Sequence, residues 1–119
     1  MRKLNILIVE DGRSQREMLR DFLIKEGHHV MEAENGETGI RMVAENQLDL
    51  ILLDYKMPGM DGMEVLKEVK RINHEIDVVI ITAYGTIETA VEAIKVGAID
   101  YITKPVELDE LLILVDRVT

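Results

Sequence analysis

Hydrophobic positions along this chain alternate between two rhythms. Short apolar runs occur at Asn5–Val9 (NILIV), Val30–Ala33 (VMEA), Leu50–Leu53 (LILL), Val78–Ile81 (VVII) and Tyr101–Thr103 (YIT). The first, third and fourth carry no polar alternation, so they predict strands covered on both faces. Between the runs the apolar residues recur with helical period. Ser14–Lys25 places Met18, Leu19, Phe22 and Leu23 on one stripe, with Gly27 set to end the helix. Glu37–Glu45, Met63–Ile72, Thr86–Val96 and Leu108–Val118 repeat the pattern, and Gly97 stops the fourth. Strand then helix, five times over, predicts an α/β fold with a doubly wound parallel sheet. Right-handed crossovers put helices on both faces, and ligands of such sheets bind beyond the carboxyl ends of the strands.

The residues at those ends carry the candidate chemistry. In LDLILLDYKMPGMDG the apolar run Leu50–Leu53 meets Asp54 directly. Burying an unpaired carboxylate is costly, so Asp54 needs either an exposed strand end or cationic company. The first strand ends in Glu10-Asp11, the fourth in Thr82 and the fifth in Lys104-Pro105. A parallel sheet brings all of these to one edge. Crowded carboxylates repel, and a hard divalent cation relieves the repulsion. Mg²⁺ suits such a site, taking carboxylate, water and phosphate oxygens. An aspartate beside Mg²⁺ can act as a nucleophile and form an acyl phosphate. Mg²⁺ and Lys104 would neutralise the transferring phosphoryl group, and the Thr82 hydroxyl could donate to it.

Composition narrows the field. A length of 119 residues fits one domain with a core of its own. There are no cysteines, so disulfides and thiolate metal sites are excluded. No apolar run approaches the roughly 20 residues of a membrane span, and the stretch after Met1-Arg2-Lys3 is too short for a secretory core. A cytoplasmic location is the expectation. The balance of 14 basic and 23 acidic residues, net −9, speaks against direct nucleic-acid binding and is compatible with a cation or a basic protein partner.

Taken together, Glu10-Asp11, Asp54, Thr82-Ala83 and Lys104-Pro105 resemble the receiver domain of two-component response regulators, over the whole chain. The resemblance implies a flavodoxin-like five-stranded sheet of order 2-1-3-4-5. It implies that Asp54 accepts a phosphoryl group from a histidine kinase or phosphotransfer protein. Asp11, Asp54, the backbone carbonyl of Lys56 and, through water, Glu10 would hold Mg²⁺, with Mn²⁺ able to substitute. Lys104 would contact the phosphoryl group, Thr82 would turn toward it, and Tyr101 would swing inward. That movement would alter the face formed by the fourth helix, fifth strand and fifth helix. An output domain or downstream regulator would read the change, with a phosphorylation-dependent homodimer as a further expectation. The Lys104-Pro105 bond is expected to be cis. The stretch ITAYGTIETAVEAIKVGAIDYITKP looks most like receivers of NtrC-type transcription activators, and is also similar to stand-alone sporulation phosphorelay receivers. One departure is that the acidic pair begins with Glu10, where many receivers carry Asp. The expectation is a single receiver over residues 1–119, with any output domain outside this chain.

Each of these residues also admits a plainer reading. Glu10-Asp11 alone would read as a helix-capping turn, Asp54 as a strand-terminating cap, Lys104 as a surface lysine and Thr82 as a strand former. Tyr101 needs no function to be half-buried. Met57, Met60 and Met63 read as gap-fillers, His28 and His29 as structural residues where a surface strand begins, and Gly59 and Gly62 as servants of the loop backbone. A haloacid-dehalogenase phosphatase would want Asp-x-Asp after the first strand, and the text there is Glu10-Asp11-Gly12-Arg13. A flavin carrier would want a hydroxyl-rich loop and aromatics, against EDGRSQ, one Phe and three Tyr. A degenerate receiver acting only as an interaction module is opposed by the complete set of marks.

Overall fold

The computed structural model describes residues 2–83 and 85–118. Strands and helices alternate as β1 (Asn5–Val9), α1 (Arg13–Lys25), β2 (His29–Ala33), α2 (Gly36–Glu45), β3 (Leu50–Asp54), α3 (Gly62–Ile72), β4 (Asp77–Thr82), α4 (Ile87–Val96), β5 (Asp100–Thr103) and α5 (Leu108–Val118). All pairings are parallel, in the order β2-β1-β3-β4-β5. This is the flavodoxin-like receiver topology expected.

Strand pleat sorts the apolar residues into two cores. Ile6, Ile8, Leu50, Leu52, Val79 and Ile81 face Leu19 and Leu23 of α1 and Leu111, Leu114 and Val115 of α5. Leu7, Val9, Ile51, Leu53, Val78 and Ile80 face Val43 of α2, Val65, Leu66 and Val69 of α3 and Ala93 of α4. Both faces of β1, β3 and β4 are therefore covered, which is why those strands show no polar alternation. The edge strands β2 and β5 are shorter of apolar residues because each lies at the rim. Met57 and Met63 are buried and Met60 packs beside them, as gap-fillers should.

Several ends differ by a residue or two from expectation, each for a local reason. Thr86 stands outside α4 as its N-cap: its side chain accepts from the Thr89 N–H at 3.1 Å, and Thr89 Oγ1 accepts from the Thr86 N–H at 3.2 Å. Gly97 ends α4 with φ 127°, a conformation few L residues hold. The two histidines part company. His29 opens β2 and is exposed, whereas His28 is buried and its Nδ1 accepts the Leu4 N–H at 3.1 Å.

Candidate functional site

The last rungs of the sheet ladders set the candidate side chains. Glu10 N–H donates to the Ala33 carbonyl at 3.0 Å, Tyr55 N–H to Ile81 at 3.0 Å, and Lys104 N–H to Thr82 at 2.8 Å. Glu10, Asp54 and Lys104 are thus held by backbone bonds at the carboxyl edge. Strand order reverses between β1 and β3, and the crevice above them is where such sheets bind ligands. A cleft of about 450 Å³ opens there, lined by Glu10, Asp11, Asp54, Lys56, Ala83 and Lys104, with Arg13 to Gln15 on its rim.

Asp54 is 5% exposed and is the last residue of β3. It has no exposed strand end, so cationic company is what permits its burial. Lys104 Nζ lies 2.8 Å from Glu10 Oε1 and 3.4 Å from Asp54 Oδ1, bridging the two. Asp11 is exposed beside them, and Glu10, Asp11 and Asp54 each offer an oxygen within 4.8 Å of the others. Three hard oxygen donors at this separation fit Mg²⁺ or Mn²⁺ and would not favour a soft metal.

The charges are distributed unevenly. Burial, and then the charge of Glu10, push the Asp54 carboxyl up from 3.8 to about 7. Burial acts on Glu10 in the same sense, but the Lys104 ammonium and the Gly12 N–H at 2.9 Å outweigh it and hold Glu10 below its ordinary value. Lys104 loses to burial and gains more from Glu10 and Asp54, so it is held above its ordinary value. Asp54 is therefore the member whose ionisation a cation would assist most.

The acceptor loop depends on a close approach. Gly62 N–H donates to the Tyr55 carbonyl at 2.9 Å, and a Cβ at Gly62 would meet Tyr55 Cα at 2.6 Å and the Asp54 carbonyl oxygen at 2.8 Å. Gly59 holds φ 81° in the same loop. Asp61 caps α3, accepting from the Glu64 N–H at 3.0 Å. The capping alternative for Glu10-Asp11 finds no support, since α1 has Gly12 at its N-cap and no side-chain cap.

Thr82 is fully buried at the end of β4, and the Lys104-Pro105 bond is cis as expected. Tyr101 is half-buried on β5 and shares a 2.8 Å hydrogen bond with the Thr89 hydroxyl on α4. Sequence reasoning did not find Thr89, nor Arg16, whose Nη1 donates to the Glu10 carbonyl at 3.0 Å. The signal for Thr89 was its spacing of three from Thr86. No local signal marked Arg16.

Comparison with known proteins follows the same lines. Residues 6–116 match the family described as response regulator receiver domain. The chain is 44% identical over 108 residues to the transcriptional regulatory protein ZraR of Escherichia coli, covering 91% of this chain and 24% of that protein. It therefore spans about a quarter of that regulator's length. It is 42% identical over 106 residues to sporulation initiation phosphotransferase F of Bacillus subtilis, covering 89% of this chain and 86% of that protein. Among solved structures, a CheY-like receiver domain protein from Methanospirillum hungatei superposes with a TM-score of 0.93 at 28% identity, over 98% of this chain and 93% of that one. ZraR is a regulator of NtrC type, the subfamily that the stretch from Ile81 to Pro105 resembles.

Proposed function

The chain belongs to the response regulator receiver family, and from that premise we propose that it is a phosphorylation-dependent signalling switch with Asp54 as acceptor. The donor is a phosphohistidine on a kinase or phosphotransfer partner. The observation that carries this reading is the placement of Asp54. It is nearly buried, paired with Lys104, and shares a cleft with two further carboxylates.

The chemistry follows from that arrangement. An Asp54 carboxylate oxygen attacks phosphorus, a P–O bond forms, and the P–N bond to the donor imidazole breaks. The ring nitrogen keeps the bonding pair. Lys104 Nζ, already 3.4 Å from Asp54 Oδ1, pairs with the charge on the transferring group. Glu10, Asp11, Asp54 and the Lys56 backbone carbonyl would hold Mg²⁺ or Mn²⁺. When bound, the metal supplies neutralisation of phosphoryl charge. Release proceeds by attack of water on the same phosphorus, with Asp54 as leaving group.

The readout runs through Thr82 and Tyr101. Thr82 turning toward the phosphoryl group vacates space beside β5, and Tyr101 turning inward breaks its bond to Thr89. Phosphorylation biases an existing two-state equilibrium. The face affected carries Ile87, Val91 and Ile94 of α4, exposed at 85%, 46% and 48%. Control of transcription through an output domain follows from the likeness to ZraR. A second reading, a relay that passes the group onward, is supported by the likeness to the sporulation phosphotransferase, 42% identical over 106 residues. It would show as transfer from the phosphorylated chain to a histidine phosphotransfer protein.

The site itself is tested by trapping. Incubation with acetyl phosphate and Mg²⁺, then borohydride reduction, converts an aspartyl phosphate to homoserine. Homoserine at position 54 in the peptide map is the expected result. Homoserine elsewhere, or none, contradicts the acceptor assignment.

A further inference from the structure

Arg16 lies in the first turns of α1, outside the cleft, with its side chain 14% exposed. Its guanidinium spans two acceptors on different elements. Nη1 donates to the backbone carbonyl of Glu10 at 3.0 Å, and Nε donates to Glu32 Oε1 on β2 at 3.2 Å. The other oxygen of Glu32 accepts from Arg20 Nη1 at 3.2 Å, so both lone oxygens of that carboxylate are engaged. Arg16 is thus anchored at one end and grips the peptide between Glu10 and Asp11 at the other.

That peptide plane decides where Asp11 points. Glu10 N–H is already bonded to Ala33, so holding its carbonyl as well fixes the ψ of Glu10, and the rigid plane carries that constraint to the position of the Asp11 nitrogen and Cα. Glu10 and Asp54 are buried and held by packing and by Lys104, but Asp11 is exposed and lacks that support. Among the described residues its carboxyl meets only the side chain of Glu10, so where it reaches depends on where the backbone places its Cα. We infer that Arg16 is a positioning residue for the acidic pair, aiming Asp11 at the metal by holding the Glu10 carbonyl. This rests on the metal-dependent reading above. Groups behind a metal ligand commonly affect affinity by about ten- to a hundredfold when removed.

Charge alone predicts the opposite sign. Arg16 is a cation near a cation site, so its removal would tighten Mg²⁺ binding if its role were electrostatic. A positioning role predicts weaker binding. Lysine is a partial substitute, because one ammonium cannot reproduce the two directed contacts of the fork.

The test is calorimetric titration of MgCl₂ into the unaltered chain, Arg16→Met and Arg16→Lys, with folding of each checked by chemical denaturation. Exchange of the Asp11 and Gly12 amides in metal-free protein is measured alongside. The expected result is a Kd raised about tenfold in Arg16→Met and less in Arg16→Lys, with faster exchange at Asp11 in both. Arg16→Lys carries the test alone if Arg16→Met does not fold. An unchanged or tightened Kd in a folded variant, with normal binding by the unaltered chain, overturns this inference and leaves the metal reading standing. No Mg²⁺ binding by the unaltered chain overturns both.

Discussion

Asp54 is held in a state that disfavours its own charge, and the consequence is a measurable pH dependence. Its carboxyl is pushed from 3.8 to about 7 by burial and by Glu10. A carboxyl raised on folding binds its proton more tightly in the native state. Its stabilising contribution is therefore complete below the unfolded value and is lost as pH rises through about 7. Glu10, held below its ordinary value, acts in the opposite sense, and only where pH falls below about 4.5. In metal-free buffer Asp54→Asn should then stabilise the fold by an amount that grows from about pH 4 to about pH 7 and levels off above, reaching the order of 2 kcal/mol. Urea midpoints across that range check it, and a gain that does not change with pH would contradict the assignment. At this scale the charged residues were legible because each terminates an apolar run. Arg16 and the Thr89–Tyr101 pair were not, because one depends on a side chain meeting a distant backbone carbonyl and the other on two side chains that separate elements bring together.

Elements were legible to the extent that burial is two-sided. β1, β3 and β4 read clearly from unbroken apolar runs, whereas β2 and β5 read weakly because edge strands bury less. Boundaries moved where a cap or a ladder bond extends past the pattern. Thr86 became a cap, and Asp54 joined β3 through its register with Ile81. The start of α3 is set by contact rather than propensity. Gly62→Ala drives a methyl to 2.6 Å from Tyr55 Cα, and backbone cannot yield as a flexible side chain would. The expected loss is about 1–3 kcal/mol in denaturation, with a weaker Mg²⁺ response because the same loop carries Lys56. Thr89→Val removes half of the capping box and the partner of the Tyr101 hydroxyl together. It should lower stability by about 1 kcal/mol and speed amide exchange in the first turn of α4, while leaving exchange in α1 unchanged. Unchanged exchange in α4 would show that the pair does not hold that helix end.

Across the whole molecule, the parallel order β2-β1-β3-β4-β5 does the assembling. It gathers Glu10 and Lys104, 94 positions apart, into a 2.8 Å ion pair beside Asp54. The same sheet buries Thr82 at the end of β4 and pairs β4 with β5, whose Tyr101 reaches Thr89 on α4. Strand alternation predicted the convergence, and the strand order came from the family resemblance, since periodicity alone does not order strands. On the proposed reading, Asp54 takes a phosphoryl group only with a divalent cation present. The decisive measurement is intact-mass spectrometry after incubation with acetyl phosphate, run with Mg²⁺, with chelator, and on Asp54→Asn. The expected result is a single phosphoryl adduct on the unaltered chain with Mg²⁺, and none in the other two samples. An adduct that survives chelation or persists in Asp54→Asn, or no adduct at all, would contradict it.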